Sequence, residues 1–252
     1  IIGLFLIVSL GSISTVDADI RGKPAKPGKP TDPVDPPTEP PTTGDGVVRK
    51  WVLVIGIFDY EGTFSDLTFC DEDAMDWKNY LQSQGYNVNL LIDRQATANG
   101  IYNAFAQLAA NEDGDDIVAI TYSGYGYYER SIRDSCLVSQ DLYLVPAKEI
   151  KTITDTFESQ QVFMFLDCCN AGTFSNFVGT GWVAGIGSTK TSYIYDGTAA
   201  MQNGIYTYYA MEAIAAGYFT AEDICAYAEA YFDASTPGNA ATYDNFAGDF
   251  DL

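Results

Sequence analysis

Short, continuous runs of apolar residues alternate with segments of helical periodicity through most of this 252-residue chain. A run such as WVLVIGI (51–57) is typical of a strand that is buried on both faces. In the following segment, DEDAMDWKNYLQSQG (71–85), Ala74, Trp77 and Leu81 recur at helical spacing. Strands that alternate with helices in this way predict a parallel sheet covered by helices on both sides.

The remaining elements continue the alternation. Further strands are predicted at 86–92, 115–124, 161–166 and 181–189, and a hairpin or short strands at 136–145. Further helices are predicted at 97–111, 148–157, 205–217 and 220–232. The last of these begins with Thr220 and Asp223 in the spacing of a capping box. In such a sheet the ligand crevice lies outside the carboxyl ends of the strands.

The amino-terminal part differs sharply in composition. Eight of the ten prolines lie between Pro24 and Pro41, which predicts an extended, polyproline-like linker at 22–46. The rest, 47–252, has the length and apolar content of one domain with a single core. The apolar run within 1–21 is too short for a typical membrane span and fits a signal peptide or N-terminal anchor. A buried N-terminal strand is the alternative. We expect a domain that is secreted or tethered at the outer face of the cell envelope.

Acidic side chains dominate the predicted domain. Residues 51–252 carry 28 acids and 7 bases, whereas residues 1–50 carry six of each. This balance repels nucleic acid and anionic membranes, and it favours basic peptides or divalent cations. Adaptation to solubility or to high salt explains it equally well. We expect no nucleic-acid partner, and membrane contact only through an uncleaved N-terminal segment.

The chain contains five cysteines and no histidine. The cysteines form no CxxC pair, so neither a zinc site nor a full disulfide framework is indicated. Cys168 and Cys169 follow a predicted strand in FMFLDCCNAGTF (163–174), where an α/β protein would display a nucleophilic thiol. Such a thiol normally has a base beside it, most often histidine. The function of this thiol pair is therefore the central question about the sequence.

Two turns, taken together, resemble those of the caspase-like cysteine peptidases (peptidase C14), most closely metacaspases and prokaryotic caspase homologues. The family's S-G-H-G turn is similar to SGYG (123–126), and its D-x-C-x-[SA]-G turn is similar to DCCNAG (167–172). LTFCDEDAMDW (67–77), QNGIYTYYAMEAI (202–214) and YDNFAGDFDL (243–252) are also family-like. The resemblance covers about residues 50–252 and implies a three-layer α/β/α sandwich with a mostly parallel central sheet.

The resemblance also implies roles for individual residues. It makes Cys169 the nucleophile, and it makes the amides of Gly126 and Cys169 the oxyanion donors. Asp167, and less directly Asp73, match acids that line a pocket for a basic P1 side chain, which implies Lys or Arg substrates. Tyr125 stands where the family has its catalytic histidine. Cys168 lies at a variable position, and we expect its side chain to face the core or the helix layer.

Each of these roles has a structural alternative. Cys169 is equally well explained as an inert small residue at a strand end. Tyr125 is explained by packing alone if its ring fills the space that the family's histidine occupies. Asp167 is a residue type that forms turns. The family's calcium-binding acids are not clearly reproduced. We therefore expect no cofactor and name no metal-ligating residue. Calcium binding stays open as an alternative without a clear set of ligands.

Loss of the histidine should lower the rate of proteolysis severely. A thiol of ordinary pKa is only about 3% ionised at pH 7, a missing general acid lowers the rate by about 10²–10⁴-fold, and a phenol of pKa near 10 is a poor base. We expect a catalytically impaired pseudopeptidase that binds basic peptide segments. The alternative is an active cysteine endopeptidase that pairs Cys169 with an unusual partner. A redox role for Cys168 and Cys169 is disfavoured, because adjacent cysteines bridge only with strain.

Overall fold

Strands and helices alternate along the part of the chain that the computed structural model describes, residues 44–62, 66–189, 196–235 and 239–252. The strands are β1 (Lys50–Gly56), β2 (Asn87–Ile92), β3 (Ile117–Ser123), β4 (Gly126–Glu129), β5 (Asp134–Val138), β6 (Leu144–Pro146), β7 (Val162–Asp167), β8 (Trp182–Ile186) and β9 (Ala241–Asp244). The α-helices are α1 (Cys70–Ser83), α2 (Ala98–Asn111), α3 (Ala147–Thr154), α4 (Ile205–Ala215) and α5 (Ala221–Ser235).

The central sheet has six strands in the order β2-β1-β3-β7-β8-β9. Its first five strands are parallel, and β9 pairs with β8 in the antiparallel direction. A second, antiparallel sheet has the order β4-β5-β6. The mostly parallel central sheet confirms the prediction from sequence, whereas β4 and β9 were not predicted as strands.

Both faces of the central sheet are covered, which explains its continuous apolar runs. In β1, Leu53 and Ile55 belong to one buried cluster and Val52 and Val54 to the other. The first cluster includes side chains of α2 and α3, and the second includes side chains of α1, α4 and α5. The layers are therefore helix, sheet and helix, as the resemblance implied.

The central strands place the two unusual turns side by side. β3 and β7 are parallel neighbours, with Ser123 opposite Asp167 at their carboxyl ends. Because both strands end at the same edge of the sheet, the segments that follow them meet there. The expected juxtaposition of the two turns is confirmed.

Smaller features agree in part with the sequence analysis. The predicted hairpin at 136–145 corresponds to β5 and β6, and the predicted helix at 148–157 corresponds to α3, which ends at Thr154. The Thr220 side chain accepts a hydrogen bond from the Asp223 backbone N–H at 3.3 Å, as expected for an N-cap. The predicted segment 1–21 and the linker through residue 43 lie outside the described residues.

None of the helices in the described ranges has the length and apolar character needed to cross a membrane.

Candidate active site

The turns after β3 and β7 are in direct contact. A β-carbon built on Gly126 would lie 1.8 Å from the Cys169 carbonyl oxygen and 3.2 Å from Cys168 Sγ. The Asn170 side chain, one residue further on, donates a 3.2 Å hydrogen bond to the Gly126 carbonyl. Glycine at position 126 is therefore required by the close approach of the second turn, whatever its chemical role.

The two adjacent cysteines have different environments. Cys168 is 2% exposed and packs in the core cluster on the α2 and α3 face. Burial raises the pKa of its thiol well above the ordinary value, which keeps it protonated and unreactive. Cys169 is only partly buried and lines a cavity at the carboxyl edge of the sheet. The expected inward orientation of Cys168 is confirmed, and Cys169 is the accessible thiol of the pair.

Tyr125 is held tightly in the first turn. Its backbone N–H donates to the Tyr60 hydroxyl at 2.7 Å, and its carbonyl accepts from the Tyr122 hydroxyl at 2.8 Å. Its ring centroid lies 4.9 Å from that of Tyr60, and the side chain packs against the core cluster. Burial, followed by the charges of Cys70 and Cys169, raises the pKa of the Tyr125 phenol to about 12. At neutral pH the phenol therefore keeps its proton.

Two buried carboxylates converge beside these turns. Asp73 accepts hydrogen bonds from the Ser123 hydroxyl at 2.6 Å and from the Gly204 backbone N–H at 2.9 Å. One oxygen of Asp167 accepts from the Thr207 backbone N–H at 2.8 Å and from its hydroxyl at 2.9 Å. A β-carbon built on Gly204 would lie 2.7 Å from an Asp167 oxygen and 2.8 Å from an Asp73 oxygen. Both acids therefore meet at the amino end of α4.

Burial favours the protonated forms of Asp73 and Asp167 over their ionised forms. It raises the pKa of Asp167 to about 6, against the opposing effect of the two hydrogen bonds from Thr207. Burial also raises the pKa of Asp73 well above its usual range, and the charge of Asp167 raises it further. A positively charged group placed beside the pair would lower both pKa values and stabilise the ionised forms.

A small cavity joins the acids to the two turns. Its volume is about 40 Å³, enough for a few water molecules. Among the described residues, no lysine or arginine lines it. The lining residues are Leu67, Cys70, Ser123, Gly124, Tyr125, Asp167, Cys168, Cys169, Asp196 and Gly204.

Comparison with known proteins identifies the family. Residues 49–235 match the family model of the peptidase C14 caspase domain. The chain belongs to the caspase-domain family. Metacaspase-4 of Arabidopsis thaliana is 26% identical to it over 143 residues, which cover 50% of this chain and 34% of the plant protein. The match therefore spans about a third of that relative's length.

A solved structure shows the same fold. The crystal structure of protein GSU0716 from Geobacter sulfurreducens matches with a TM-score of 0.64 and 15% sequence identity. The match covers 81% of this chain and 97% of that chain. At this level of identity the likeness concerns the fold alone.

The caspase-domain structure brings all five residues named from the sequence to one edge of the sheet. Tyr125, Asp167 and Cys169 line the same cavity. Gly126 is in close contact with the Cys169 carbonyl oxygen. Asp73 accepts a hydrogen bond from the backbone N–H of Gly204, which lines the cavity. The roles of nucleophile, oxyanion donor and pocket acid remain those that the family resemblance implies.

Several residues that shape the site were not singled out from the sequence. Ser123 and Thr207 orient the two acids, and Gly204 leaves room for both. Asp196 adds a third acid to the cavity and accepts a hydrogen bond from the Thr68 backbone N–H. Ser123 was visible in the SGYG turn as the last residue of its strand. Thr207 had no comparable signal, because its contact depends on how α4 packs.

A separate group of acids lies at the opposite edge of the sheet. The carboxylates of Asp45, Asp113 and Asp115 lie within 4.8 Å of one another. Arg49 pairs with Asp45 at 2.9 Å, and the Gly46 backbone N–H donates to Asp115 at 2.9 Å. These contacts fasten the chain just before β1, so the cluster is accounted for without a role in the candidate active site.

Proposed function

We propose that this caspase-family domain binds basic peptide segments through Asp73 and Asp167 and has little peptidase activity of its own. The observation that carries the proposal is the convergence of these two buried carboxylates on Gly204, in the cavity region that also exposes Cys169. A lysine or arginine side chain is the natural complement of such a pair.

The preference for basic ligands follows from the energetics of burial. Two neighbouring carboxylates that are shielded from water resist ionisation, and a cation that enters between them removes this cost. Arginine is the better ligand of the two, because its planar guanidinium can donate to both acids at once. The small volume of the cavity means that part of its lining has to move when a long side chain enters.

The low activity follows from the absence of histidine from the chain. Tyr125 occupies the position at which the family resemblance places the histidine. A phenol with a pKa of about 12 is ionised only to about one part in 10⁵ at pH 7. It therefore cannot take the proton of Cys169 efficiently, and the thiol depends on its own small ionised fraction.

An active cysteine endopeptidase is the second candidate. It is favoured by the contact between Gly126 and Cys169, which suits a turn that presents backbone amides to a tetrahedral intermediate. The protonated Tyr125 phenol can also donate a proton to a leaving amine. In this candidate Cys169 attacks peptide bonds after lysine or arginine, and an unusual partner activates the thiol.

The wider setting is part of the same proposal. The apolar residues within 1–21 serve as a signal peptide or anchor, and the proline-rich residues that follow serve as a spacer up to Gly44, where contacts with the domain begin. The domain then works outside the cytoplasm, either secreted or tethered at the outer face of the envelope. Its partner is a peptide or protein with exposed basic residues, and it needs no cofactor.

One set of measurements tests the proposal. Calorimetry with otherwise identical peptides that end in arginine, lysine or aspartate measures the preference for charge. Hydrolysis of a fluorogenic arginine-P1 peptide, with and without calcium, measures activity beside a Cys169→Ala control. We expect the arginine peptide to bind most tightly. We also expect the natural domain to cleave it no faster than the Cys169→Ala variant does. Equal affinity for the aspartate peptide contradicts the pocket, and rapid cleavage that needs Cys169 supports the second candidate.

A further inference from the structure

Five tyrosines of α4, α5 and the turn between them form a connected set of ring contacts, which we call the tyrosine ladder: Tyr208, Tyr209, Tyr218, Tyr227 and Tyr231. The ring centroids of Tyr208 and Tyr209 are 5.3 Å apart, those of Tyr209 and Tyr231 are 5.7 Å apart, and those of Tyr218 and Tyr227 are 5.6 Å apart. Tyr227 and Tyr231 are stacked at 4.3 Å, one helical turn from each other. The contacts join all five rings into one continuous surface.

Two of the five tyrosines in the ladder are exposed to solvent, and the other three are partly buried. Tyr218 is 42% exposed and Tyr231 is 50% exposed, and the adjoining Phe219 is 59% exposed. Large aromatic side chains that are exposed together indicate a binding surface rather than ordinary surface composition. Tyrosine rings suit such a surface, because they offer apolar faces and polar edges without much loss of side-chain entropy.

The charge around the tyrosine ladder selects a basic partner. Glu212 lies among the rings and accepts a 3.0 Å hydrogen bond from the Tyr208 hydroxyl. Residues 191–252, which include α4 and α5, contain nine acids and no lysine or arginine. Aromatic faces beside acids attract ammonium and guanidinium groups through cation–π and ionic contacts.

The chain itself contains a segment of the opposite character. RGKPAKPGKP (21–30) carries four basic residues and no acid. Lys23, Lys26 and Lys29 are each followed by proline. In a polyproline II helix, which has three residues per turn, the three lysines would line one edge at intervals of about 9 Å. Proline-rich segments with this geometry dock on grooves lined by aromatic side chains.

The chain path brings this segment within reach of the tyrosine ladder. α4 begins at the carboxyl edge, where Gly204 meets Asp73, and its 11 residues run about 16 Å towards the amino edge. α5 returns and leads to β9, whose first residue, Ala241, pairs with Ile186 at the carboxyl edge. The turn that holds Tyr218 and Phe219 therefore lies towards the amino edge of the sheet.

The described chain starts at that same edge. A β-carbon built on Gly44 would lie 2.2 Å from the side chain of Asp115, just before β3. The residues between Lys29 and Gly44 can span up to about 45 Å when extended as polyproline II. No second molecule is needed to bring lysines and tyrosines together.

We propose that the lysine–proline segment at 21–30 docks on the tyrosine ladder of its own molecule. The lysine ammonium groups lie on tyrosine faces and beside Glu212, and the prolines pack against the exposed rings. Docking covers the aromatic surface and holds the spacer against the α4 and α5 side of the domain, away from Cys169. The proposal does not depend on whether Cys169 is active.

Photo-crosslinking of the full chain tests this docking. Ala230, exposed beside Tyr231, is replaced by p-benzoylphenylalanine, and exposed Ala106 on α2 is replaced in the same way as a control on the opposite face. After irradiation, mass spectrometry identifies the captured residues. Mixing isotope-labelled with unlabelled chains separates capture within one molecule from capture between two. We expect the Ala230 probe to capture residues 21–30 of its own chain, and the Ala106 probe not to.

Two further proteins show whether the chemistry is the one proposed. We expect the change of Lys23, Lys26 and Lys29 together to glutamate to lower the yield of the crosslink between the Ala230 probe and residues 21–30 by about tenfold. The single change Tyr231→Ala should lower the same yield severalfold. Capture mainly between different molecules, capture of other segments, equal capture by the Ala106 probe, or a yield that the lysine changes leave intact would each overturn the proposal.

Discussion

Gly126 and Cys169 approach so closely that a β-carbon on the glycine would fall 1.8 Å from the cysteine carbonyl oxygen. The obstacle is backbone rather than a mobile side chain, so neither turn can yield without moving its strand end. The distance between the two turns is therefore set by the absence of a single side chain.

Replacement of Gly126 by alanine should push the two turns apart. We expect the free energy of unfolding to fall by about 2–3 kcal/mol, the upper part of the usual range for overpacking, because the obstacle is backbone. Urea denaturation measures the change. Gly179→Ala is a matched control, because a β-carbon there would meet only the Phe177 carbonyl oxygen at 3.8 Å. Equal effects of the two substitutions would show that the turns are not in close contact.

Binding of a basic peptide should depend on pH through Asp167. With a pKa of about 6 in the free protein, only about a tenth of this carboxyl is ionised at pH 5, and almost all of it at pH 8. The affinity for an arginine-ended peptide should therefore rise about tenfold between these pH values. Calorimetry measures the dependence. In Asp167→Asn the affinity should be low and nearly independent of pH. If this variant instead shows the same rise with pH as the natural protein, another group is responsible for the effect.

The same carboxyl should affect stability with the opposite sign. Its folded-state pKa of about 6 lies above its ordinary value of 3.8, so the folded state binds the proton more tightly. The stability that this proton provides is complete below about pH 4 and is lost as the pH rises through 6. Relative to the natural protein, Asp167→Asn should gain up to about 3 kcal/mol between pH 4 and pH 8. Thermal or urea unfolding at both pH values measures it, and no relative gain would contradict the raised pKa.

Introducing histidine at position 125 should create peptidase activity. We expect Tyr125→His to cleave an arginine-P1 peptide measurably, because an imidazole with a pKa near 6.5 can accept the thiol proton and later protonate the amine. The gain should be partial, since nothing orients the new ring as a tuned hydrogen-bond network would. Activity that persists after the additional change Cys169→Ala would assign the chemistry elsewhere. A folded but inactive Tyr125→His would mean that more than the base is missing.

The strands that carry the site were the most predictable part of the fold. β1, β3 and β7 are buried on both faces, so each appears in the sequence as an unbroken apolar run. β9, with the sequence ATYD, lies at the edge of the sheet and is partly exposed along most of its length. Four residues without an apolar run give no periodic signal. Its pairing with β8 is decided by packing rather than by local sequence.

The site was predictable where it depends on neighbouring strands. Tyr125 and Cys169 line the same cavity because β3 and β7 pair directly. The two glycine turns, each following a strand in the sequence, indicated this arrangement. The setting of the acids depends instead on α4, whose first turn supplies Gly204 and Thr207. No sequence pattern specifies that a threonine 40 residues after Asp167 donates to it twice. The position of a helix over a sheet is a tertiary property.

Two buried carboxyls of this chain, which has no histidine, change charge near neutral pH. Histidine is normally the side chain that changes charge between pH 5 and 8. Here the raised pKa of Asp167, about 6, and that of Glu112, which burial raises to about 7, fall in this interval instead. Folding therefore takes up protons from a mildly acidic medium and reduces part of the charge of −21 that the chain carries when fully ionised. Between pH 8 and pH 5 the folded domain therefore loses part of its negative charge, and the repulsion among its acids decreases.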